Sequence, residues 1–254
     1  MSLYIPKIIG HRGAKGYAPE NTLSSLHSAA DMGIEWVEFD VKLTKDQVPI
    51  IFHDDTLDRT TNSIGPVAEK TLAELKELDA GSWFSESFIG ESIPTLEEAL
   101  EVIMIRGMGC NIELKPCPGR EVETAEAALD IATTIWPEEM PAPLISSFQL
   151  SCLETAQDMV SGWPRGYLID YDEQDGHTAE NWQEKAKYID AATINCNGNQ
   201  ATRENIEDYI NSNRPVLCYT INDPAKAQEL LEWGVTSFFS DVPDVIREEL
   251  ESYH

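Results

Sequence analysis

The sequence has no long apolar segment and few cysteines. It contains no stretch of about 18 apolar residues, which argues against a membrane span. Residues 1–7 hold too few apolar side chains for a signal peptide, so a cytoplasmic location is expected. The five cysteines are odd in number and lack CxxC spacing, so neither a disulfide framework nor a zinc knuckle is indicated. They are predicted to be reduced core thiols.

Basic residues are also scarce. The chain carries 18 lysines and arginines against 45 acids, which gives a net charge of −27. A surface of this sign repels nucleic acid and anionic membranes, so neither is expected as a partner. A bound divalent cation together with local arginine and lysine side chains could still make one site attractive to an anionic small molecule.

Short apolar runs alternate with helical patterns from one end of the chain to the other. Hydrophobic residues make up 42% of the 254 residues, which is enough for a sizeable core. Eight strands with intervening helices in about 250 residues are typical of the (β/α)8 TIM barrel, an α/β fold. Because no linker divides the pattern, residues 1–254 are predicted to form one domain.

Two departures from a plain barrel are predicted. The second strand, Trp36 to Leu43, is followed by a turn at residues 44–47 that is too short for a helix. The next apolar run, Val48 to Phe52, is therefore predicted to return beside it as a hairpin arm. The polar segment from Asp54 to about Ser92 is predicted to be a small insertion lobe, between the second and third barrel units, that covers the site.

Carboxylates, histidines and cations cluster where four predicted strands end. Strand alternation places Glu38 and Asp40 on one face, roughly 7 Å apart. Reactive side chains of a TIM barrel lie at the carboxyl ends of its strands, so the clusters should meet at one mouth. Three carboxylates suit a hard cation, and two imidazoles suit proton transfer. The clusters are His11-Arg12-Gly13, Glu38-Phe39-Asp40, His53-Asp54-Asp55 and Asn111-Ile112-Glu113-Leu114-Lys115.

The ordered set of motifs resembles the glycerophosphodiester phosphodiesterase family. The likeness runs along the whole chain, and the absence of a signal peptide makes it similar to the cytosolic bacterial branch. Each motif alone is weak, but their order and spacing are specific. The motifs are the four clusters together with Pro19-Glu20-Asn21-Thr22, Thr56 to Thr61, Ser147-Phe148, Tyr219 to Asn222 and Ser240-Asp241.

The resemblance implies a role for each matching residue. One divalent cation, Mg²⁺ or Ca²⁺, is expected as the cofactor, since oxygen ligands favour hard ions. Two histidines are expected to act as acid and base, without an assignment of which is which. The implied metal ligands are Glu38, Asp40 and Glu113; the implied catalytic pair is His11 and His53; and the implied phosphate and substrate contacts are Arg12, Lys115 and Phe148.

The implied reaction is hydrolysis of a small-molecule glycerophosphodiester to sn-glycerol 3-phosphate and an alcohol. Two alternatives stay open: a barrel that binds a phosphodiester without turnover, and a related phospholipase-type phosphodiesterase. The head group, the route through a cyclic phosphate or direct attack by water, and the oligomeric state are not determined by the sequence.

Neighbouring residues have further expected roles. Glu20 and Asn21 are expected either to cap the first helix or to orient His11, with Thr22 as an alternative cap. Asp241, which precedes Val-Pro, is predicted to cap the last helix. Trp83 and Tyr219 are further candidates for the wall of the substrate pocket.

Overall fold

The computed structural model describes residues 3–171 and 179–252. Within them, the strands are β1 Ile8–Gly10, β2 Trp36–Leu43, β3 Pro49–Ile51, β4 Gly109–Leu114, β5 Leu144–Ser147, β6 Arg165–Ile169, β7 Thr193–Asn197, β8 Val216–Tyr219 and β9 Ser237–Ser240. The α-helices are α1 Leu23–Asp31, α2 Leu72–Lys76, α3 Leu96–Ile105, α4 Glu121–Ile135, α5 Leu150–Met159, α6 Trp182–Tyr188, α7 Arg203–Asn211, α8 Pro224–Glu232 and α9 Pro243–Ser252.

Eight parallel strands close into a barrel. The neighbours run in the order β1, β9, β8, β7, β6, β5, β4, β2, and the pairing of β1 with β2 closes the ring. Strand β3 lies outside the ring and pairs antiparallel with β2, with Val41 opposite Ile51. The predicted (β/α)8 TIM barrel with a hairpin on its second strand is therefore confirmed.

The residues of β2 show why the barrel holds polar groups inside it. All eight are buried. Val37, Phe39 and Val41 pack into the apolar layer between the strands and the helices α1, α3 and α4. The alternate residues Glu38 and Asp40 therefore face the barrel interior, as the period of two requires. A separate cluster that includes Ile9, Trp36, Leu144, Leu217 and Phe239 forms the apolar interior near the amino ends of the strands.

The segment between β3 and α3 forms the predicted insertion, and its role as a cover of the site stays a prediction. It contains α2 and two short 3-10 helices, Val67–Glu69 and Glu86–Phe88. Its own small core includes Phe52, Leu57, Val67, Leu75 and Ile93.

Among the residues described, no helix is long and apolar enough to cross a membrane.

Helix α1 begins at Leu23, directly after Thr22. The Thr22 hydroxyl accepts a hydrogen bond from the Ser25 backbone N–H at 3.2 Å, so Thr22 is its N-cap. Asn21 has a left-handed backbone, with φ at 54°, which keeps it out of the helix. Of the alternatives left open, the Thr22 cap is confirmed, and capping by Glu20 or Asn21 is wrong.

Candidate active site

His11 follows β1 at the mouth of the barrel, where β1 pairs with β9. Its backbone N–H donates to the Ser240 carbonyl at 2.9 Å, which brings His11 beside Asp241. The ring Nδ1 lies 2.6 Å from Asp241 Oδ1, and Asn222 Nδ2 donates to the other Asp241 oxygen at 2.8 Å. The side chain of Asp241 therefore engages His11 and Asn222, and the prediction that it caps the last helix is wrong.

His53 has a similar arrangement where the hairpin arm ends beside β2. The Phe52 backbone N–H donates to the Asp40 carbonyl at 2.9 Å, so the hairpin arm returns His53 to the level of the β2 carboxylates. His53 Nδ1 lies 2.6 Å from Asp54 Oδ1. Arg59 donates to both Asp54 oxygens, at 2.8 Å and 2.9 Å, and holds the carboxylate in place.

Both imidazoles thus have Nδ1 against a carboxylate. Because an ionised carboxylate only accepts hydrogen bonds, Nδ1 carries a proton in each ring. Nε2 is then left for the substrate in both. Burial and the neighbouring Arg12 charge lower the pKa of His11, although Asp241 opposes them. This favours a neutral His11 ring at rest.

Three carboxylates meet inside the barrel, on β2 and β4. One oxygen from each of Glu38, Asp40 and Glu113 lies within 4.8 Å of the other two. Asp40 and Glu113 are register partners on neighbouring strands, whereas Glu38 lies two residues earlier on β2. Asn21 Nδ2 donates to Asp40 Oδ2 at 2.8 Å. Asn21 therefore orients Asp40, and the expected contact with His11 is wrong.

The electrostatics of these acids fit a cation. Burial, followed by repulsion from Asp40 and Glu113, raises the pKa of Glu38, and burial also raises the pKa of Glu113. Burial opposes ionisation of Asp40 as well, but His53 and Arg12 hold its pKa below the ordinary value. Glu38 Oε2 accepts from the Arg12 backbone N–H at 2.9 Å. Glu38 Oε1 is buried and has no hydrogen-bond partner among the described residues.

Two cationic side chains lie at the edge of the acidic cluster. Arg12 Nη1 is 2.7 Å from Glu20 Oε1, and its Nε is 3.4 Å from Asp40 Oδ2. Lys115 Nζ lies 3.6 Å from Glu113 Oε1 and 5.1 Å from the centroid of the Phe148 ring. Both cations are therefore balanced by acids and stand where a phosphate could approach them.

Glu20 connects the segments that hold the two histidines. It accepts from Arg12 and also from Arg59, at 2.7 Å and 2.8 Å. Its side chain is 2% exposed, and the two arginines lower its pKa against the opposing effect of burial. Glu20 therefore links Arg12 by hydrogen bonds to Arg59, which in turn holds Asp54 against His53. It does not cap α1.

The eight residues to which the family resemblance assigns a role all line one cavity of about 340 Å³ at the barrel mouth. Tyr219 also lines it, 5.9 Å from Phe148 between ring centroids, whereas Trp83 does not. Trp83 packs in the insertion, where its indole N–H donates to the Ala80 carbonyl. Lining residues to which the sequence assigned no role are Asn111, Leu168, Asp170, Asn197, Asn199, Thr220 and Phe239. Apart from Asn111 on β4, they lie near or just after the carboxyl ends of strands β6 to β9, which is the position that could have indicated them.

Known proteins of one family are similar to this chain in sequence. A profile of the glycerophosphoryl diester phosphodiesterase family matches residues 11–245. A glycerophosphodiester phosphodiesterase of Bacillus subtilis (strain 168) is 33% identical over 259 aligned residues, which cover 96% of this chain and 86% of the relative.

Solved structures agree with the sequence comparison. A phosphodiesterase of Oleispira antarctica, solved with the product sn-glycerol-3-phosphate, is 42% identical, with a TM-score of 0.91 and 97% of each chain covered. A glycerophosphodiester phosphodiesterase of Agrobacterium tumefaciens str. C58 is 28% identical, with a TM-score of 0.75, and the match covers 96% of this chain and 100% of that one. The chain belongs to the glycerophosphoryl diester phosphodiesterase family.

Proposed function

We propose that the protein hydrolyses glycerophosphodiesters to sn-glycerol 3-phosphate and a free alcohol, with a divalent cation as cofactor. The observation that carries the proposal is the convergence of two carboxylate-held histidines, three buried carboxylates and two cations on one cavity. The activity named for the Bacillus subtilis relative and the product bound in the Oleispira antarctica structure support the same reaction.

Glu38, Asp40 and Glu113 would hold the cation. The donors are carboxylate oxygens, which suits Mg²⁺ or Ca²⁺. When bound, the ion would neutralise negative charge that develops on the phosphate oxygens. The raised pKa values of Glu38 and Glu113 and the unpartnered Glu38 Oε1 support this assignment, because buried acids of this kind are stabilised by a positive partner.

Arg12 and Lys115 would bind the phosphate. A guanidinium can hold two phosphate oxygens at once, whereas an ammonium acts as a point charge. Arg12 stays positively charged because Asp40, Glu20 and Glu38 raise its pKa against the opposing effect of burial. Phe148, beside Lys115, would contact the carbon skeleton of the substrate.

His11 and His53 would move the protons. One Nε2 takes a proton from the attacking oxygen, water or a substrate hydroxyl, as that oxygen bonds to phosphorus. The other ring gives a proton to the alcohol oxygen as its bond to phosphorus breaks. Each transfer of this kind contributes about 10² to 10⁴ in rate. Asp241 and Asp54 would keep the two rings in the required tautomer and orientation.

Separate measurement of turnover and binding distinguishes an enzyme from a barrel that only binds a phosphodiester. His11→Ala and His53→Ala should each slow product formation from glycerophosphocholine by about 10² to 10⁴. Both variants should still bind sn-glycerol 3-phosphate in calorimetry. His27→Ala is the matched control, because His27 is exposed and contacts Arg106 away from the cavity. No turnover by the unmodified protein, with binding intact, would support the binder instead.

A further inference from the structure

Asn111 lies on the floor of the acidic cluster and has no role in the reaction described above. It is the register partner of Glu38 across the β2–β4 pair, and it precedes Glu113 by two residues on β4. Its side chain therefore shares the interior face with these two acids. Asn111 is 1% exposed and lines the active-site cavity.

A hydrogen bond fixes the orientation of the Asn111 amide. Nδ2 donates to Ser146 Oγ at 2.9 Å, inside the barrel. Ser146 is itself the register partner of Glu113 on the next strand, β5. The amide NH2 group of Asn111 therefore points toward Ser146, at the level of Glu113. The side-chain carbonyl oxygen, Oδ1, remains available to accept a hydrogen bond or to bind a cation.

Two buried acceptors on this floor need a donor or a cation. Asn111 Oδ1 and Glu38 Oε1 are both buried, and neither has a hydrogen-bond partner in the described part of the chain. A buried acceptor without a partner costs free energy, so native structures rarely retain one without a ligand or water. Because the two residues are register partners, one positive centre above them could satisfy both oxygens.

We propose that Asn111 Oδ1 is a fourth protein oxygen of the cation site, level with Glu38 and below Asp40 and Glu113, and that Ser146 holds it in place. The inference rests on the cation of the proposed function. A neutral oxygen adds a ligand without adding to the repulsion among Glu38, Asp40 and Glu113. Ca²⁺ takes six to eight oxygen ligands, whereas Mg²⁺ keeps several waters, so Ca²⁺ depends more strongly on Asn111.

Calorimetric titration of the metal-free protein with Ca²⁺, and separately with Mg²⁺, tests this assignment without any substrate. Asn111→Ala should weaken Ca²⁺ binding about 10- to 100-fold, the range found when groups around a metal are removed. Asn111→Asp should bind Ca²⁺ at least as tightly as the unmodified protein, because a carboxylate also supplies an oxygen. Ser146→Ala should weaken binding by less than Asn111→Ala.

Asn195→Ala is the matched control. Asn195 is a second fully buried interior asparagine, on β7, and it does not line the cavity. Its substitution should leave the dissociation constants within about twofold of those of the unmodified protein. Thermal unfolding of each variant in EDTA establishes that it is folded.

The outcomes separate the inference from the proposed function. Unmodified protein that binds neither ion overturns the cation site itself. If the unmodified protein binds and Asn111→Ala binds equally well, only the role of Asn111 is overturned. A folded Asn111→Asp variant that loses affinity as Asn111→Ala does would show that position 111 serves as a donor, which also overturns the inference.

Discussion

Asp241→Asn should slow the reaction while leaving substrate affinity nearly unchanged. Asp241 Oδ1 lies 2.6 Å from His11 Nδ1, and Asp241 is not among the residues that line the cavity. A hydrogen bond to a charged group contributes about 1.5 to 3 kcal/mol. If that energy is lost from the transition state, kcat falls about 10- to 150-fold, since each factor of ten corresponds to about 1.4 kcal/mol. An asparagine amide can also donate a hydrogen bond to His11 Nδ1. It therefore permits the His11 tautomer without a proton on Nδ1, which the Asp241 carboxylate excludes.

The assay is release of sn-glycerol 3-phosphate from glycerophosphocholine, followed over a range of substrate concentrations. Asp244→Asn provides the control, because it makes the same substitution three residues later, where the carboxylate accepts from the Tyr17 hydroxyl at 2.7 Å. The control should leave both kcat and KM unchanged. A kcat for Asp241→Asn within about threefold of the unmodified value, or a loss confined to KM, would refute the positioning role.

Three further predictions concern stability. A divalent cation at about 100 times its dissociation constant should stabilise the fold by about 2.7 kcal/mol, or about 5 to 10 °C in Tm, and Glu113→Ala or Asp40→Ala should abolish the shift in a thermal scan. Burial opposes ionisation of Asp241, but His11, Lys15 and Asn222 together lower its pKa to about 2. The stability that ionised Asp241 contributes is therefore present above about pH 4 and lost as the pH falls toward 2. Urea unfolding of Asp241→Asn should show a smaller loss of stability over that interval, and an equal loss would contradict the assignment. The net charge of −27 should make Tm rise between about 0.1 M and 1 M NaCl, where the screening length falls from about 10 Å to 3 Å; a constant Tm would show that self-repulsion is unimportant.

The barrel and its hairpin were accessible from the sequence because both depend on local patterns. Apolar runs at strand length alternate with helical periods, and a turn of four residues after Leu43 leaves room only for an antiparallel return. The return determines where His53 lies. The family resemblance was equally accessible, because it rests on the order of short motifs, and the family profile confirms it.

Contacts between distant strands could not be derived in this way. Asp241 precedes Val242 and Pro243, and this local pattern favours a helix cap. Its actual partner, His11, lies 230 residues earlier and becomes a neighbour only when β1 pairs with β9. The contact between Asn21 and Asp40 likewise depends on the left-handed backbone of Asn21, for which the sequence pattern gave no signal.

The chemical identity of the substrate and the ion depends on the site as a whole rather than on single residues. Carboxylate ligands exclude neither Mg²⁺ nor Ca²⁺, and both histidines present the same nitrogen to the cavity. The sequence therefore leaves open which ion is used and which histidine is the base. The single-domain assignment and the cytoplasmic location stay predictions.

The most direct test of the account is formation of sn-glycerol 3-phosphate by protein freed of metal with EDTA. Glycerophosphocholine, glycerophosphoethanolamine and glycerophosphoglycerol would each be supplied before and after addition of Mg²⁺ or Ca²⁺. No product is expected from the metal-free protein, and sn-glycerol 3-phosphate is expected from at least one substrate once an ion is added. Undiminished product formation in EDTA, or none with any substrate and either ion, would contradict this expectation.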